Sequence, residues 1–244
     1  MLDVENTTVL VLGATGYVGL ELCRQSVKFG MKTIAHIRPD SKQLGEWKIR
    51  FEGMGADVDS TPWNQDEMHQ SIKRLKPDLI FITIGTTKKR MKKIQKNGGD
   101  KATGSYEKVD YGLTALAVEA ASRAENKKYK PKIIYLSSIG TKQNTGSPYL
   151  QARYKAEQAV IASKLAYVIV RAPIISGPDR MEFRLMERIG AKIFDSVLGV
   201  ASHIGFEKQA VRYHSIYAGK LAAGMLCEAF SESMGKTIYI DEWL

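Results

Sequence analysis

Thr8-Val9-Leu10-Val11-Leu12-Gly13-Ala14-Thr15-Gly16-Tyr17-Val18-Gly19 decides the architecture: a short apolar run breaks at glycine and resumes as a helix. The run before Gly13 is of strand length and carries no charge to mark a solvent face, so it reads as a strand buried on both sides. Gly13 permits a tight turn, Gly16 leaves the main chain bare, and Gly19 lets the helix sit close against the strand. At the start of that helix, open N–H groups and the helix dipole favour an anion. A glycine triplet alone recurs in many turns. At the first strand-to-helix junction of an alternating chain it marks a dinucleotide pyrophosphate site, here Gly13, Ala14, Thr15, Gly16, Tyr17, Val18 and Gly19.

The alternation runs to the end of the chain. Strands are predicted over Thr8–Leu12, Lys32–Ile37, Ala56–Val58, Leu79–Ile84, Lys132–Leu136, Ala166–Val170 and Thr237–Ile240. Helices are predicted over Tyr17–Phe29, Ser41–Met54, Gln65–Leu75, Tyr106–Arg123, Tyr149–Ser163, Phe183–Phe194 and Ser215–Phe230. Continuous apolar strands separated by amphipathic helices imply βαβ units, and right-handed crossovers then leave a doubly wound parallel sheet, an α/β Rossmann fold, as the expected class. No linker or repeat divides residues 1–244, which read as a single domain. Residues 176–209, irregular and rich in glycine and basic residues, are expected to form a small cap on the substrate side.

Composition narrows the function classes. With 44% hydrophobic and 25% charged residues the chain reads as an ordinary globular protein. Its apolar runs fall far short of the roughly 20 residues that cross a bilayer, and Asp3 and Glu5 argue against a signal peptide, so the cytoplasm is the expected location. Cys23 and Cys227 lie in predicted helices and are expected to be free core thiols. His36, His69, His203 and His214 are scattered without ligand spacing, so no metal site is expected. The net charge of +10 raises a nucleic-acid reading, yet no such motif accompanies it. Seven of the basic residues crowd into 88–101, a charged loop beside the expected site that is either simply solvated or closes over an anionic ligand. A small-molecule substrate is therefore the expected partner, while oligomeric state is not readable.

The cofactor's remaining contacts follow from strand ends. His36-Ile37-Arg38 closes the second strand where NAD-preferring sheets carry an acid for the ribose 2′-OH; Arg38 instead suits a 2′-phosphate, so NADP(H) is expected, with NAD(H) as the alternative. Asp57-Val58-Asp59 follows the third strand edge, where the acids, Asp57 first, either reach the adenine or cap the next helix. Ile84, Gly85 and Thr86 close the fourth strand, where a small residue lets the cofactor pass over the sheet.

The segments Gly13–Gly19, Ile84-Gly85-Thr86-Thr87, Val109-Asp110-Tyr111, Leu136-Ser137-Ser138-Ile139-Gly140 and Tyr149-Leu150-Gln151-Ala152-Arg153, in that order, resemble the atypical short-chain dehydrogenase/reductases, and most closely their Tat-interacting-protein oxidoreductase branch. The resemblance spans about residues 8–180. It implies a serine that orients a substrate carbonyl, a tyrosine that exchanges a proton, and a lysine one helical turn on that holds the nicotinamide ribose and favours phenolate. Ser138 and Tyr149 match the serine and tyrosine, with Ser137 the second choice. Position 153 is arginine, which supplies charge and hydrogen bonds but shuttles no proton. Pro173, Ile174 and Ile175 match the segment that walls the nicotinamide, and Arg180 lies beyond it. The implied function is an NADP(H)-dependent oxidoreductase acting on a small carbonyl or hydroxyl compound. The arginine motivates a second reading, a cofactor-binding sensor or scaffold with little turnover. A sugar-nucleotide epimerase or dehydratase ranks third, since only about 70 residues follow Pro173.

Overall fold

The computed structural model describes residues 3–87, 90–92, 96, 104–126, 128–176, 216–232 and 234–243. The predicted helix Phe183–Phe194, the cap after Ser176, Arg180, His203, His214 and most of the basic stretch 88–101 lie outside the described residues.

Seven parallel strands form the sheet: β1 (Thr8–Leu12), β2 (Lys32–His36), β3 (Asp57–Asp59), β4 (Leu79–Ile82), β5 (Lys132–Ser138), β6 (Ala166–Ala172) and β9 (Lys236–Tyr239). Their order is β3-β2-β1-β4-β5-β6-β9, and a two-stranded ladder of β7 (Ile175–Ser176) and β8 (Ile216–Tyr217) stands apart. The order reverses between β1 and β4, and the carboxyl ends of strands at such a reversal open the crevice where doubly wound sheets bind ligands.

Both faces of the sheet are covered, which is why the strands read as unbroken apolar runs. Val9 and Val11 face a core built with α1 (Tyr17–Lys28) and α6 (Ala218–Phe230), including Leu22, Cys23, Leu221 and Met225. Leu10 and Leu12 face the other core, against α3 (Gln65–Leu75), α4 (Leu113–Ala124) and α5 (Pro148–Ala162), including Met68, Ile72, Ala121 and Val160. Each fully buried Leu or Ile stabilises the fold by about 1.5–3 kcal/mol, and all four residues of β4 are fully buried.

Helix ends follow local chemistry. Asn64 caps α3, accepting the Glu67 N–H at 2.9 Å, and Ser147 caps α5 ahead of Pro148, where the missing proline N–H costs nothing. α2 (Leu44–Gly53) begins three residues later than the sequence suggests. The helix expected from Tyr106 opens instead as a π-helical turn, Glu107–Gly112, that runs into α4. Cys23 is buried, its thiol pushed up to about 12 by burial; Cys227 is exposed, against the expectation of a core thiol, because it faces outward from α6. Among the described residues no helix is long and apolar enough to cross a membrane, and no group of three or more His, Cys, Asp or Glu residues gathers as a metal would require.

Candidate functional site

The turn after β1 is fixed by contacts that exclude side chains. Gly13 has φ +91°, and a Cβ there would lie 2.9 Å from the Thr83 carbonyl carbon. Thr83 Oγ1 donates toward the Leu12 and Gly13 carbonyls at 3.2 and 3.3 Å, tying the turn to the end of β4. A Cβ on Gly19 would run into the Gly13 carbonyl oxygen and come within 2.8 Å of Ala14 Cα, so α1 starts in direct contact with the turn. Ala14 and Val18 are buried, whereas Thr15, Gly16 and Tyr17 face outward. Gly16 is the N-cap of α1 and offers no side chain to its N–H groups; the first turn carries no acid either. Side chains close the amino ends of α3 and α5, but α1 is left open at the reversal point of the sheet. That fits an anionic pyrophosphate.

Beside it, Arg38 leaves the carboxyl end of β2 exposed, with Nη1 donating to Asp40 Oδ2 at 2.9 Å. His36, two residues earlier, is buried; its Nε2 bonds the Thr61 carbonyl at 2.8 Å and its ring meets Trp63 edge-on at 4.8 Å. Burial lowers the His36 pKa, aided by the Arg38 charge, while Thr61 and Asp59 oppose the shift. The folded chain thus keeps His36 neutral where the unfolded chain accepts a proton. Stability is expected to fall as pH drops below about 6.5, and to keep falling down to the lowered folded-state value. Melting curves from pH 8 to 5 should show this, with a flatter slope in His36→Gln, whose amide still reaches Thr61. An equally steep His36→Gln curve would exclude His36 as the source.

The third strand corrects one expectation. Asp57, the adenine candidate, is the first residue of β3; it is exposed and pairs with Ile34, short of the carboxyl edge. Asp59 reaches that edge opposite His36, but its Oδ1 accepts from Thr61 Oγ1 at 2.9 Å, Ser71 Oγ at 3.1 Å and Arg74 Nη2 at 3.2 Å. Strand length set the error: β3 runs one residue later than its apolar pattern suggests.

Beyond β4 the chain assembles a buried polar cluster. Arg153, on α5, has its side chain 9% exposed and that of Asp110, on the π-helical turn, is fully buried; Arg153 Nη2 lies 2.9 Å from Asp110 Oδ1. Arg153 Nη1 donates to the Leu136 carbonyl at 2.8 Å and to the Tyr135 hydroxyl at 3.1 Å. Asp110 Oδ2 accepts the Thr86 N–H at 3.0 Å, and a Cβ on Gly85 would lie 2.6 Å from Arg153 Nη2. The loop Ile84–Thr86 is therefore held by the Arg153–Asp110 pair. Burial pushes the Asp110 carboxyl up, with the Arg153 charge and the Thr86 N–H pulling against it; burial also pushes the Tyr135 phenol up to about 12.

Tyr149, one turn before Arg153, stacks its ring over the guanidinium at 5.3 Å and meets Tyr106 edge-to-face at a centroid distance of 5.3 Å. The same-face spacing expected on the helix is observed. The two serines have different partners: Ser137 Oγ donates to Glu157 Oε1 at 2.6 Å, and Ser138 Oγ donates to the Ile139 carbonyl at 3.2 Å. Glu157 is buried and pairs with Arg171, whose Nη1 donates to the Tyr239 hydroxyl at 2.8 Å. Ser137 is thus committed to that pair. Pro173 is buried, Ile174 is exposed, and Ile175 enters β7. Sequence reasoning missed Asp110 as the partner of Arg153 and Tyr106 as the neighbour of Tyr149; no spacing rule links helices so far apart in the chain.

Fold and glycine turn together define a nicotinamide-dinucleotide-binding protein of the Rossmann class. Residues 13–196 match the model of a family described as NAD(P)H-binding, more than half of the chain. The chain belongs to that NAD(P)H-binding family, among the atypical short-chain dehydrogenase/reductases. It is 22% identical over 226 residues to the mitochondrial protein FMP52-2 of Scheffersomyces stipitis, covering 93% of this chain and 82% of that one. It is 28% identical over 187 residues to the chloroplastic protein TIC 62 of Oryza sativa, covering 68% of this chain but only 35% of that protein. Among solved structures, a Bacillus halodurans protein provisionally assigned as an NAD-dependent epimerase/dehydratase superposes with TM-score 0.65 at 20% identity, covering 95% of this chain and 92% of its own. WbmH of Bordetella bronchiseptica in complex with NAD+ gives TM-score 0.62 at 14% identity, covering 94% and 74%. These structural likenesses carry the fold.

Proposed function

We propose that this protein is an NADP(H)-dependent oxidoreductase acting on a small carbonyl or hydroxyl compound. The observation that carries the reading is the open amino end of α1 on the same sheet edge as Ser138 and Tyr149. Gly13–Gly19 would hold the pyrophosphate, Arg38 the 2′-phosphate, and Pro173, Ile174 and Ile175 one side of the nicotinamide. When bound, the cofactor supplies or accepts hydride. Ser138 Oγ orients the substrate oxygen, and Tyr149 gives that oxygen a proton or takes one. The Arg153 guanidinium lies against the Tyr149 ring, 5.3 Å from its centroid, and helps fix the phenol on this face of the helix. The cytoplasm is the location proposed with this reading.

A second reading draws on the bonding of Arg153. Its guanidinium is already engaged by Asp110, Tyr135 and Leu136, whereas the family's lysine is implied to hold the nicotinamide ribose. That favours a cofactor-binding protein with little turnover, a sensor or scaffold.

Titration with NADPH and NADH followed by hydride-transfer assays on a carbonyl panel separates the two. Under the enzyme reading, Tyr149→Phe keeps the NADPH Kd and lowers kcat by about 100-fold or more, the usual worth of a positioned acid or base. Tight binding with no turnover on any carbonyl, and turnover appearing in Arg153→Lys, would establish the sensor reading. Absence of binding to either dinucleotide would end both.

A further inference from the structure

Tyr149 projects from the first turn of α5, where a helix holds its backbone least firmly; the Ser147 cap there accepts the Leu150 N–H at 3.4 Å. Among the described residues the Tyr149 hydroxyl has no hydrogen-bond partner, so ring contacts set where the phenol points. One contact is the Arg153 guanidinium, itself pinned by Asp110, Tyr135 and the Leu136 carbonyl. The other is Tyr106, whose ring stands at 61° to that of Tyr149 with 5.3 Å between centroids. Edge-to-face packing of this kind is a favoured arrangement of two aromatic rings. The backbone under Tyr106 is held as well. Tyr106 is the N-cap residue of the π-helical turn Glu107–Gly112, and Ser105 Oγ accepts the Lys108 N–H at 3.2 Å at the start of that turn. The turn is tied to α5 by the buried Asp110–Arg153 pair and by Lys155 Nζ donating to Glu107 Oε1 at 2.6 Å. Burial, and behind it the Asp110 charge, push the Tyr106 phenol up, so at neutral pH it offers Tyr149 an uncharged ring.

We propose that Tyr106 is a positioning residue for proton transfer at Tyr149: its ring keeps the Tyr149 phenol turned toward the substrate oxygen. The inference rests on the oxidoreductase reading above and deepens it. A tyrosine on a helix has two common χ1 rotamers, and these aim its hydroxyl in different directions. Arg153 supports the Tyr149 ring from the same helix. Tyr106 supplies the second contact from a separate element, and two contacts leave the ring one stable orientation. Proton transfer tolerates little error in that orientation. Donor and acceptor must lie within hydrogen-bond reach, and a misplacement of about 1 Å costs on the order of 100-fold in rate. What position 106 must provide is therefore an aromatic ring, and its hydroxyl is dispensable. Tyr106 acts through Tyr149 in this role.

The test compares wild type, Tyr106→Phe and Tyr106→Leu by NADPH oxidation on the best-reduced member of the carbonyl panel, and by fluorine NMR of protein carrying 3-fluorotyrosine. The signal missing from Tyr149→Phe identifies Tyr149 among the 11 tyrosines. Tyr106→Leu is expected to move that signal and to lower kcat by about 10-fold or more, with KM and the NADPH Kd within about 2-fold of wild type. Tyr106→Phe should keep the signal in place and kcat within about 2-fold, because the ring contact survives. Melting temperatures should stay within about 4 °C of wild type, the scale of one lost aromatic pair in a chain of this size. Wild-type kcat in Tyr106→Leu overturns the proposal, whether or not the signal moves, and leaves the oxidoreductase reading intact. A lost rate with an unmoved signal overturns it as well, since Tyr106 would then not act through Tyr149. A rise in KM alone places Tyr106 against the substrate, and equal losses in Tyr106→Phe and Tyr106→Leu assign the role to its hydroxyl; either result overturns the proposal. If wild type reduces no carbonyl, the oxidoreductase reading and the proposal fall together.

Discussion

Arg153→Met is expected to lower stability by about 3–5 kcal/mol, the cost of leaving a buried charge without its partner. For a chain of this size that amounts to a drop in melting temperature on the order of 10 °C. The argument starts from Asp110, whose side chain has no solvent to turn to and whose Oδ1 faces the guanidinium at 2.9 Å. Removing the arginine strands the Asp110 carboxylate, the Leu136 carbonyl and the Tyr135 hydroxyl at once. The pH dependence has a definite sign. Burial pushes the Asp110 carboxyl up, and the Arg153 charge resists that push. Without Arg153 the folded-state pKa rises further above the unfolded value, so the folded chain binds a proton more readily than the unfolded one. Stability of the variant should therefore be greatest in mild acid and decline as pH rises through the raised value. Arg153→Met combined with Asp110→Leu should recover most of the loss, since an apolar pair leaves no buried charge. Melting curves at pH 5 and pH 8 for the three variants decide the matter. A single variant that melts within about 2 °C of wild type at pH 8 would show that the pair contributes no more than an exposed one.

The same pair marks where sequence reading stopped. β1, β2, β4, β5 and β6 were legible because burial on both faces leaves an uninterrupted apolar run, and the glycine turn was legible because each glycine answers a local steric demand. Tyr149 and Arg153 were placed on one helix face by a spacing of four residues, and the ring lies against the guanidinium. Asp110 is 43 positions from Arg153, and nothing local distinguishes it from an acid at the start of an exposed helix. Only the π-helical turn, which breaks the regular spacing expected from Tyr106 onward, carries it into the core. Asp57 and Asp59 show the same limit on a smaller scale: a strand too short to display alternation does not say which acid stands at its carboxyl end.

Gly16→Ala and Gly19→Ala are expected to part company, and the difference tests whether the turn exists to hold a ligand. At Gly19 a methyl group would meet the main chain of Gly13 and Ala14, which cannot swing aside as a side chain can. The start of α1 must then lift from the turn, so Gly19→Ala should lower the melting temperature by several degrees and weaken NADPH by about 100-fold or more, equivalent to at least about 2.7 kcal/mol. Gly16 has φ −81° and ψ 165°, a backbone conformation any residue adopts, and the nearest atom to an added Cβ is the Gly13 carbonyl oxygen at 3.3 Å. That contact is tight and is relieved by a shift of a few tenths of an ångström, so the fold needs glycine at that position far less than at Gly19. An anion docking on the open amino end of α1 does need it, because a methyl group there would stand between the phosphate oxygens and the main-chain N–H groups. Gly16→Ala should accordingly melt within about 2 °C of wild type yet weaken NADPH and NADH alike by about 10-fold or more. Unchanged dinucleotide affinity in a folded Gly16→Ala would move the pyrophosphate away from α1, and the assignments of Arg38 and Tyr149 would lose their common origin.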